Sequence, residues 1–258
     1  MGTEIYWFSG TGNSLSIART LNSMLSEQGK LLPMAALYEK NNNTTDADVV
    51  GFVFPIHLGD APWVVKEFVK KTHFTLKPYI FAVATCNANP HDCLPLFHEL
   101  LKKCSQTLAL GEIIEMPGNA LVTEPNIEQE RLDAAPGRVA EIGRKINNRE
   151  IALQKDKDMD IPANPMIDRI YNAMKRFKVS SQCDGCETCQ TVCPLDNISL
   201  VENTPQWGQK CTACWACFHW CPQEAITIEV PTIGNRRRYH HPDITVTDIA
   251  SQHVRRDK

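Results

Sequence analysis

A chain of 258 residues is long enough for one ordinary domain and a smaller second one. Its 43% hydrophobic and 22% charged residues are typical of a folded globular protein. A formal net charge of −3 argues against a general nucleic-acid binder, and no apolar run reaches the roughly 18 residues that a membrane-spanning helix needs. We therefore expect no nucleic-acid partner and no membrane span.

The amino-terminal segment combines an apolar run with a glycine loop. Residues 5–8 read as a buried parallel strand and lead into Ser9, Gly10, Thr11, Gly12, Asn13 and Ser14, which open a helical pattern. Backbone N–H groups and hydroxyls at a helix start bind phosphate. The loop lacks the lysine of nucleoside triphosphate loops and the third glycine of the dinucleotide fingerprint, so it suits a single terminal phosphate. A structural turn without a ligand is the alternative.

The order of strand, loop and helix repeats along the first half of the chain. Strands are predicted at residues 31–34, 48–54, 79–85 and 108–116, and helices at about 62–70, 91–104 and 126–149, the last interrupted at 136–137. In open α/β sheets, ligands bind beyond the carboxyl ends of the strands. Two further loops lie there, and their candidate ligand contacts are Pro55, Ile56, His57, Leu58, Gly59, Thr85, Cys86, Asn87 and Ala88.

The loop at residues 9–14 resembles the Ser/Thr-x-Thr-Gly-x-Thr/Ser phosphate loop of flavodoxins. The resemblance covers roughly residues 2–150. It implies bound FMN, with residues 9–14 on the phosphate and residues 55–59 and 85–90 around the isoalloxazine ring. It leaves the stacking partner of that ring open, with His57 and Trp63 as candidates. For Cys86, we expect a small buried apolar group rather than a nucleophile.

Eight of the eleven cysteines form two runs of identical spacing. The runs are Cys183-x2-Cys186-x2-Cys189-x3-Cys193-Pro194 and Cys211-x2-Cys214-x2-Cys217-x3-Cys221-Pro222. Three thiolates of such a run hold one [4Fe-4S] cluster, and the Cys-Pro cysteine of the other run supplies the fourth ligand. The predicted ligand sets are therefore Cys183, Cys186, Cys189 and Cys221, and Cys211, Cys214, Cys217 and Cys193. Two other interpretations are less suitable. Structural zinc fits this spacing poorly. A disulfide framework fits poorly with the absence of a signal-peptide pattern.

The two cysteine runs belong to an internal repeat, in which residues 183–200 recur as 211–228 and each unit ends in a strand-like segment. This stretch resembles bacterial ferredoxins with two [4Fe-4S] clusters. The whole chain is similar to the flavodoxin–ferredoxin fusion proteins called the EFR family. The predicted fold class is α/β, with a flavodoxin-like doubly wound parallel sheet followed by a small α+β two-cluster ferredoxin domain. The expected parts are a flavodoxin-like domain at 1–150, a linker with a helix (165–177) at 151–178, the ferredoxin domain at 179–230 and a basic tail at 231–258.

These features predict an electron-transfer iron–sulfur flavoprotein that passes single electrons between two [4Fe-4S] clusters and FMN, with redox proteins as partners. One alternative is a ferredoxin-fed flavin-dependent reductase of a small-molecule acceptor, and another is a docking scaffold without flavin. Cluster thiolates and three further cysteines fit a reducing cytoplasm and an oxygen-poor habitat. In the tail, the arginines at 236–238 are expected to form a solvated basic strand, with a partner-docking patch as the alternative.

Overall fold

A computed structural model of the chain describes residues 2–40, 43–87, 89–120, 123–152, 165–228 and 237–253, without the side chains of 165–167. The strands are β1 (Thr3–Trp7), β2 (Lys30–Pro33), β3 (Asn43–Thr45), β4 (Val49–Pro55), β5 (Thr72–Phe74), β6 (Tyr79–Cys86), β7 (Leu108–Glu115), β8 (Phe177–Val179), β9 (Ile198–Val201), β10 (Thr204–Trp207) and β11 (Ile226–Ile228). The helices are α1 (Asn13–Met24), α2 (Met34–Tyr38), α3 (Trp63–Lys71), α4 (Cys93–Lys103), α5 (Pro125–Asn147), α6 (Pro165–Ala173), α7 (Thr188–Thr191), α8 (Ala216–His219) and α9 (Val246–Ala250).

A five-stranded parallel sheet in the order β2-β1-β4-β6-β7 forms the amino-terminal part. This is the strand order of flavodoxin-like doubly wound folds. Helix α1 packs against α5, and α3 packs against α4. Helices cover both faces in such folds, which explains why the central strands are almost continuously apolar and buried. The predicted parallel α/β sheet is confirmed.

Helix α5 runs unbroken through Pro136, so the predicted interruption at 136–137 is wrong. Proline removes one backbone hydrogen bond, but Pro136 lies on the exposed side of the helix, where water can satisfy the freed carbonyl. On the opposite side, Ala135, Val139 and Ile142 are buried against the sheet core. Packing of this apolar face therefore outweighs the local preference of proline.

The cysteine-rich part is built from two antiparallel strand pairs, β8 with β11 and β9 with β10. β9 and β11 match the two predicted strand-like segments. Ile198, Ile226 and Ile228 pack with Trp215 in a second apolar core. Helix α6 is shorter than predicted, because the chain leaves the helix to form β8 and pair with β11. Residues 153–164 of the predicted linker lie outside the described residues.

Residues 237–253, here called the C-terminal strap, return to the amino-terminal domain. Tyr239 and Ile249 in the strap are buried. Its helix α9 starts with a capping box between Thr245 and Asp248. The expectation of a solvated basic strand does not hold for Arg238, whose side chain is 11% exposed. In the part of the chain described above, no helix has the length and apolar character needed to cross a bilayer.

Candidate flavin and iron–sulfur sites

A cavity of about 340 Å³ lies at the carboxyl ends of β1, β4 and β6. Its volume is in the range of small-molecule sites. The three loops predicted to contact a ligand all reach it, through Ser9, Gly10, Thr11, Asn13, Ser14, Pro55, Ile56, His57, Leu58, Gly59, Thr85, Cys86 and Asn87. Gly12 does not line the cavity, and Ala88 is outside the described residues. The sheet therefore gathers segments that are distant in sequence into one pocket.

Further walls of the cavity come from a fourth loop and from the cysteine-rich part. The turn at 116–120 contributes to one wall. Ile170, Met174 and Ala213 also line the cavity. Sequence reasoning missed them because they follow the predicted flavodoxin-like domain, and Ala213 lies within a cysteine run that was assigned to a cluster alone. Trp63 does not line it. Its Nε1 instead donates a hydrogen bond to the carbonyl of Cys211 at 3.3 Å, so it contacts the cysteine-rich part.

The first turn of α1 has the features of an anion site. It carries no acidic residue and no side-chain cap, so its backbone N–H groups lack the usual acceptor. Gly12, at the cap position, has a φ of 99°, which favours glycine. The loop is tied to its neighbours, since the hydroxyls of Ser14 and Thr85 are 2.8 Å apart and Asn13 Nδ2 donates to the carbonyl of Pro117 at 2.9 Å. These residues fit the phosphate of a flavin nucleotide.

His57 is a neutral group at the cavity wall. Burial lowers the pKa of His57 to about 4. The ring lies near the backbone of Thr212, but neither ring nitrogen makes a hydrogen bond of normal geometry to a described residue. At neutral pH the ring is therefore uncharged, and it lies between the cavity and the second cysteine run.

The structure brings the eight cysteines together in two crossed sets. One cavity is lined by Cys183, Cys186, Cys189 and Cys221, here called the distal set. Another is lined by Cys193, Cys211, Cys214 and Cys217, here called the proximal set. In both sets, the Cys-Pro cysteine comes from the other run, which is the arrangement of two-cluster ferredoxins.

The surroundings of the proximal thiols suit a cluster. Among the described residues, no three His, Cys, Asp or Glu side chains converge on a point that could hold a single ion. A cubane cluster needs another geometry, since each of its irons takes one cysteine. Backbone N–H groups of Asn197 and Ala213 donate to the sulfurs of Cys193 and Cys211, at 3.3 and 3.4 Å. Hydrogen bonds of this kind tune iron–sulfur clusters.

Burial changes the acidity of the cysteine thiols. It raises the pKa of Cys189 and of Cys193 to about 11, and it raises the pKa of the buried Cys214 and Cys217 well above the ordinary value. These four thiols are therefore protonated at neutral pH when no metal is bound. Iron binding has to replace these protons, so cluster assembly is coupled to proton release.

The proximal set lies directly against the phosphate loop. A Cβ on Gly10 would be 2.2 Å from the carbonyl oxygen of Cys214, so only glycine fits there. Trp220 Nε1 donates to the carbonyl of Gly10 at 2.9 Å, and Asn119 Nδ2 donates to that of Cys214 at 3.5 Å. An ion pair of 2.6 Å between Lys210 and Glu39 joins the same two parts of the chain. The candidate flavin site and one candidate cluster site are therefore neighbours.

Comparison with protein families identifies a flavodoxin domain at residues 4–104. The C-terminal part is similar to ferredoxin-like iron–sulfur proteins. One relative is a component of an ion-translocating oxidoreductase complex of Methanosarcina acetivorans, 45% identical over 47 residues, which are 18% of each chain. Another is a ferredoxin-like protein in the nif region of Nostoc sp., 35% identical over 49 residues, 18% of this chain and 42% of the relative. The predicted order of flavodoxin domain and ferredoxin-like part is confirmed.

The matches to the curated relatives are partial, since they span 18 to 42% of the length of those proteins. Among solved structures, a flavodoxin from the domain Archaea aligns with 56% of this chain and 99% of its own, at 10% identity and a TM-score of 0.35. The assignment of the amino-terminal fold rests on the family match and on the strand order.

Proposed function

We propose that this chain is an iron–sulfur flavoprotein of electron transfer, in which single electrons pass between two [4Fe-4S] clusters and FMN. The flavodoxin domain and the similarity of the C-terminal part to ferredoxin-like proteins support a redox role. When bound, FMN exchanges one or two electrons, whereas each cluster exchanges one. In this proposal residues 9–14 hold the phosphate of FMN, and the proximal and distal sets each hold one cluster.

The contact between Gly10 and Cys214 carries this proposal. It places a backbone atom of a proximal cysteine against the loop that would hold the flavin phosphate. Ala213, which lies between two proximal cysteines, lines the flavin cavity itself. Electron transfer needs closely spaced cofactors, and this packing supports a flavin and a cluster held side by side.

The distal set provides the exchange point with other proteins. Cys186 is exposed, and Cys183 and Cys221 are partly exposed, whereas Cys214 and Cys217 are buried. A redox partner would therefore meet the distal set at the surface, and the proximal set would connect it to the flavin. From the surface inward, the order of the cofactors is then distal cluster, proximal cluster and flavin.

The residues of the cavity would bind and shield the flavin. Ser14 and Thr85 join two of its loops through their hydroxyls. The uncharged ring of His57 and the buried thiol of Cys86 add little polarity to the wall. They would exclude water from one side of the isoalloxazine ring. Met174 and Ala213 would limit access from the side of the clusters.

Transfer within one molecule is the decisive test of the proposal. Protein prepared without air and loaded with iron, sulfide and FMN is reduced at its clusters by a fast one-electron donor, and flavin absorbance is followed. We expect flavin reduction at a rate that does not depend on protein concentration. A rate proportional to concentration, or a flavin that stays oxidised although its potential permits reduction, would reject the proposal.

Binding of FMN is tested separately with Thr11→Glu. The added carboxylate would repel the flavin phosphate, so FMN affinity should fall at least about 100-fold, the effect of several lost charge-assisted hydrogen bonds. Riboflavin, which has no phosphate, should bind the variant nearly as it binds the wild type. Unchanged FMN affinity would exclude residues 9–14 as the phosphate site, whereas a wild type that binds no FMN would favour a docking scaffold without flavin.

A flavin-dependent reductase of a small molecule is the second candidate. The cavity volume lies near the lower end of the range for small-molecule sites, so FMN alone is expected to fill most of it. This leaves little room for a second reactant and favours a carrier. Turnover of quinones or nitro compounds by the loaded protein, saturable and much faster than by free FMN, would favour the reductase.

A further inference from the structure

The C-terminal strap contacts the loop at residues 9–14, called the phosphate loop, at Ser9, Thr11 and Asn13. The strap amide of His241 donates to the carbonyl of Thr11 at 2.8 Å. The hydroxyl of Tyr239 donates to Oδ1 of Asn13 at 2.6 Å. These bonds join residues more than 220 positions apart, so the strap closes the chain onto its own amino-terminal loop.

Gln252 makes two hydrogen bonds to the backbone of Ser9. Its side chain is 0% exposed. The Ser9 N–H donates to Oε1 of Gln252 at 3.3 Å, and Nε2 of Gln252 donates to the Ser9 carbonyl at 2.5 Å. This pair of bonds fixes the peptide groups on both sides of Ser9, as a neighbouring strand would. The Oγ of Ser9 then accepts a hydrogen bond from Gly12 N–H at 3.0 Å.

Every carbonyl of the loop from Ser9 to Gly12 accepts a hydrogen bond. The donors are Gln252 for Ser9, Trp220 for Gly10, the His241 amide for Thr11 and the Ser16 amide for Gly12. In a trans peptide the N–H of the next residue points away from the carbonyl. Fixing these carbonyls therefore turns the following N–H groups to the other side of the loop.

The N–H groups on that other side have few protein partners. Within the described residues, no protein acceptor pairs with the N–H groups of Gly10, Thr11 and Asn13. All three residues line the flavin cavity. Successive unpaired N–H groups at a helix start form a concave site for an anion. The strap contacts, together with the hydrogen bond from Trp220, account for the orientation of this site.

We propose that the C-terminal strap is part of the flavin phosphate site, with Tyr239 and Gln252 as positioning residues that hold the phosphate loop in its anion-binding conformation. This inference rests on the proposed binding of FMN. Gln252 contacts the peptide groups of Ser9 and Tyr239 contacts the side chain of Asn13, so both act on the phosphate only through the loop. Their role should therefore be specific to the phosphate of the nucleotide and largely independent of its ring.

The test compares FMN with riboflavin in Tyr239→Phe and Gln252→Met, using the full chain with its clusters. The first variant removes the hydroxyl that donates to Asn13, and the second removes both hydrogen bonds to Ser9 without adding a charge. FMN dissociation constants should rise at least about 5-fold, as expected for one or two lost hydrogen bonds. Riboflavin constants should change less than about twofold. Thr247→Ala, in the exposed part of the strap, is the matched control and should change neither.

Iron content and the apparent melting temperature of each variant show whether it is folded. If both flavins lose affinity equally, or if FMN affinity does not change in either folded variant, the strap is only a structural element and the inference is wrong. If Gln252→Met fails to fold, Tyr239→Phe alone decides. A wild type that binds riboflavin as tightly as FMN would reject the phosphate site itself, and with it both the proposed function and the role of the strap.

Discussion

The carbonyl oxygen of Cys214 lies 2.2 Å from the position that a Cβ on Gly10 would occupy. The two parts of the chain are therefore in backbone contact at the point where their candidate cofactor sites meet. A backbone oxygen cannot move aside like the end of a flexible side chain. Glycine is therefore required at this position by the contact between the two parts of the chain, as well as by the proposed close approach of the phosphate.

Gly10→Ala should loosen this junction. Overpacking of this kind costs about 1–3 kcal/mol, so the apparent melting temperature of the loaded protein should fall by roughly 3–10 °C. FMN reduction by the clusters should also slow. Gly137→Ala is the control, because an added Cβ on this exposed helical residue meets nothing within 4 Å. The control should be neutral or stabilise by about 0.5–1 kcal/mol. Equal effects of the two changes would contradict the role of the junction.

Cys193→Ala and Cys221→Ala should remove different clusters, each the cluster of the other run. Iron should fall from about eight to about four per chain in either variant. Because Cys193 lies in the proximal set, its loss should also uncouple the flavin from cluster reduction, whereas Cys221→Ala should leave flavin and proximal cluster coupled. Iron analysis measures cluster loss, and rapid-reduction kinetics measures the coupling to the flavin.

Cys104→Ala, outside both sets, is the control for these two variants and should keep all the iron. Coupling lost in Cys221→Ala and kept in Cys193→Ala would disprove the crossed arrangement.

Much of this architecture could be predicted from the sequence because its signals are local. The apolar runs of the parallel strands, the glycines of the phosphate loop and the spacing of the cysteines each lie within a few residues. The carboxyl ends of parallel strands meet at one sheet edge, so the pattern of strands alone predicts that the loops after β1, β4 and β6 lie together.

The strap could not be predicted in the same way, because its contacts depend on tertiary packing. Ser9 and Gln252 are 243 positions apart, and the polar segment around Gln252 carries no motif for a buried glutamine. One local signal was present. Thr245 and Asp248 have capping-box spacing, and Ile244 and Ile249 flank this pair with apolar side chains. Strands β8 and β10 were also missed, since each is short and defined by its partner.

The neighbouring Arg237 and Arg238 should differ strongly on replacement by lysine. Arg238 lies 3.5 Å from the ring centre of Phe218 and donates to the carbonyls of Glu224 and Ile226, each at 2.7 Å. Lysine cannot reproduce both the stacked and the forked geometry. Arg238→Lys should therefore destabilise the loaded protein by about 1–3 kcal/mol. Exposed Arg237 pairs with Glu128 at the surface, so Arg237→Lys should cost at most about 1 kcal/mol.

Anaerobic thermal unfolding at matched iron content measures this difference between the two arginines. Metal binding contributes to folding stability, so the variants have to be compared before iron is released. Arg238→Lys should lower the melting temperature by several degrees relative to Arg237→Lys. Equal melting temperatures would mean that the C-terminal strap adds nothing to the cysteine-rich part at this contact.

Trp220→Phe isolates the hydrogen bond that Trp220 Nε1 donates to Gly10. Phenylalanine keeps an aromatic ring beside His240, with which Trp220 stacks at 4.3 Å, but leaves the Gly10 carbonyl without its donor. A buried acceptor without a partner costs about 1–3 kcal/mol. The Gly10 peptide is then free to rotate, and the N–H of Thr11 no longer faces the phosphate in a fixed direction.

FMN affinity of Trp220→Phe should fall about 10-fold and riboflavin affinity much less, as measured by flavin fluorescence titration. His240→Ala removes the stacking partner and keeps the hydrogen bond, so it should leave FMN affinity within about twofold of wild type. The opposite ranking of these two variants would show that ring stacking, rather than the hydrogen bond to Gly10, orders the loop.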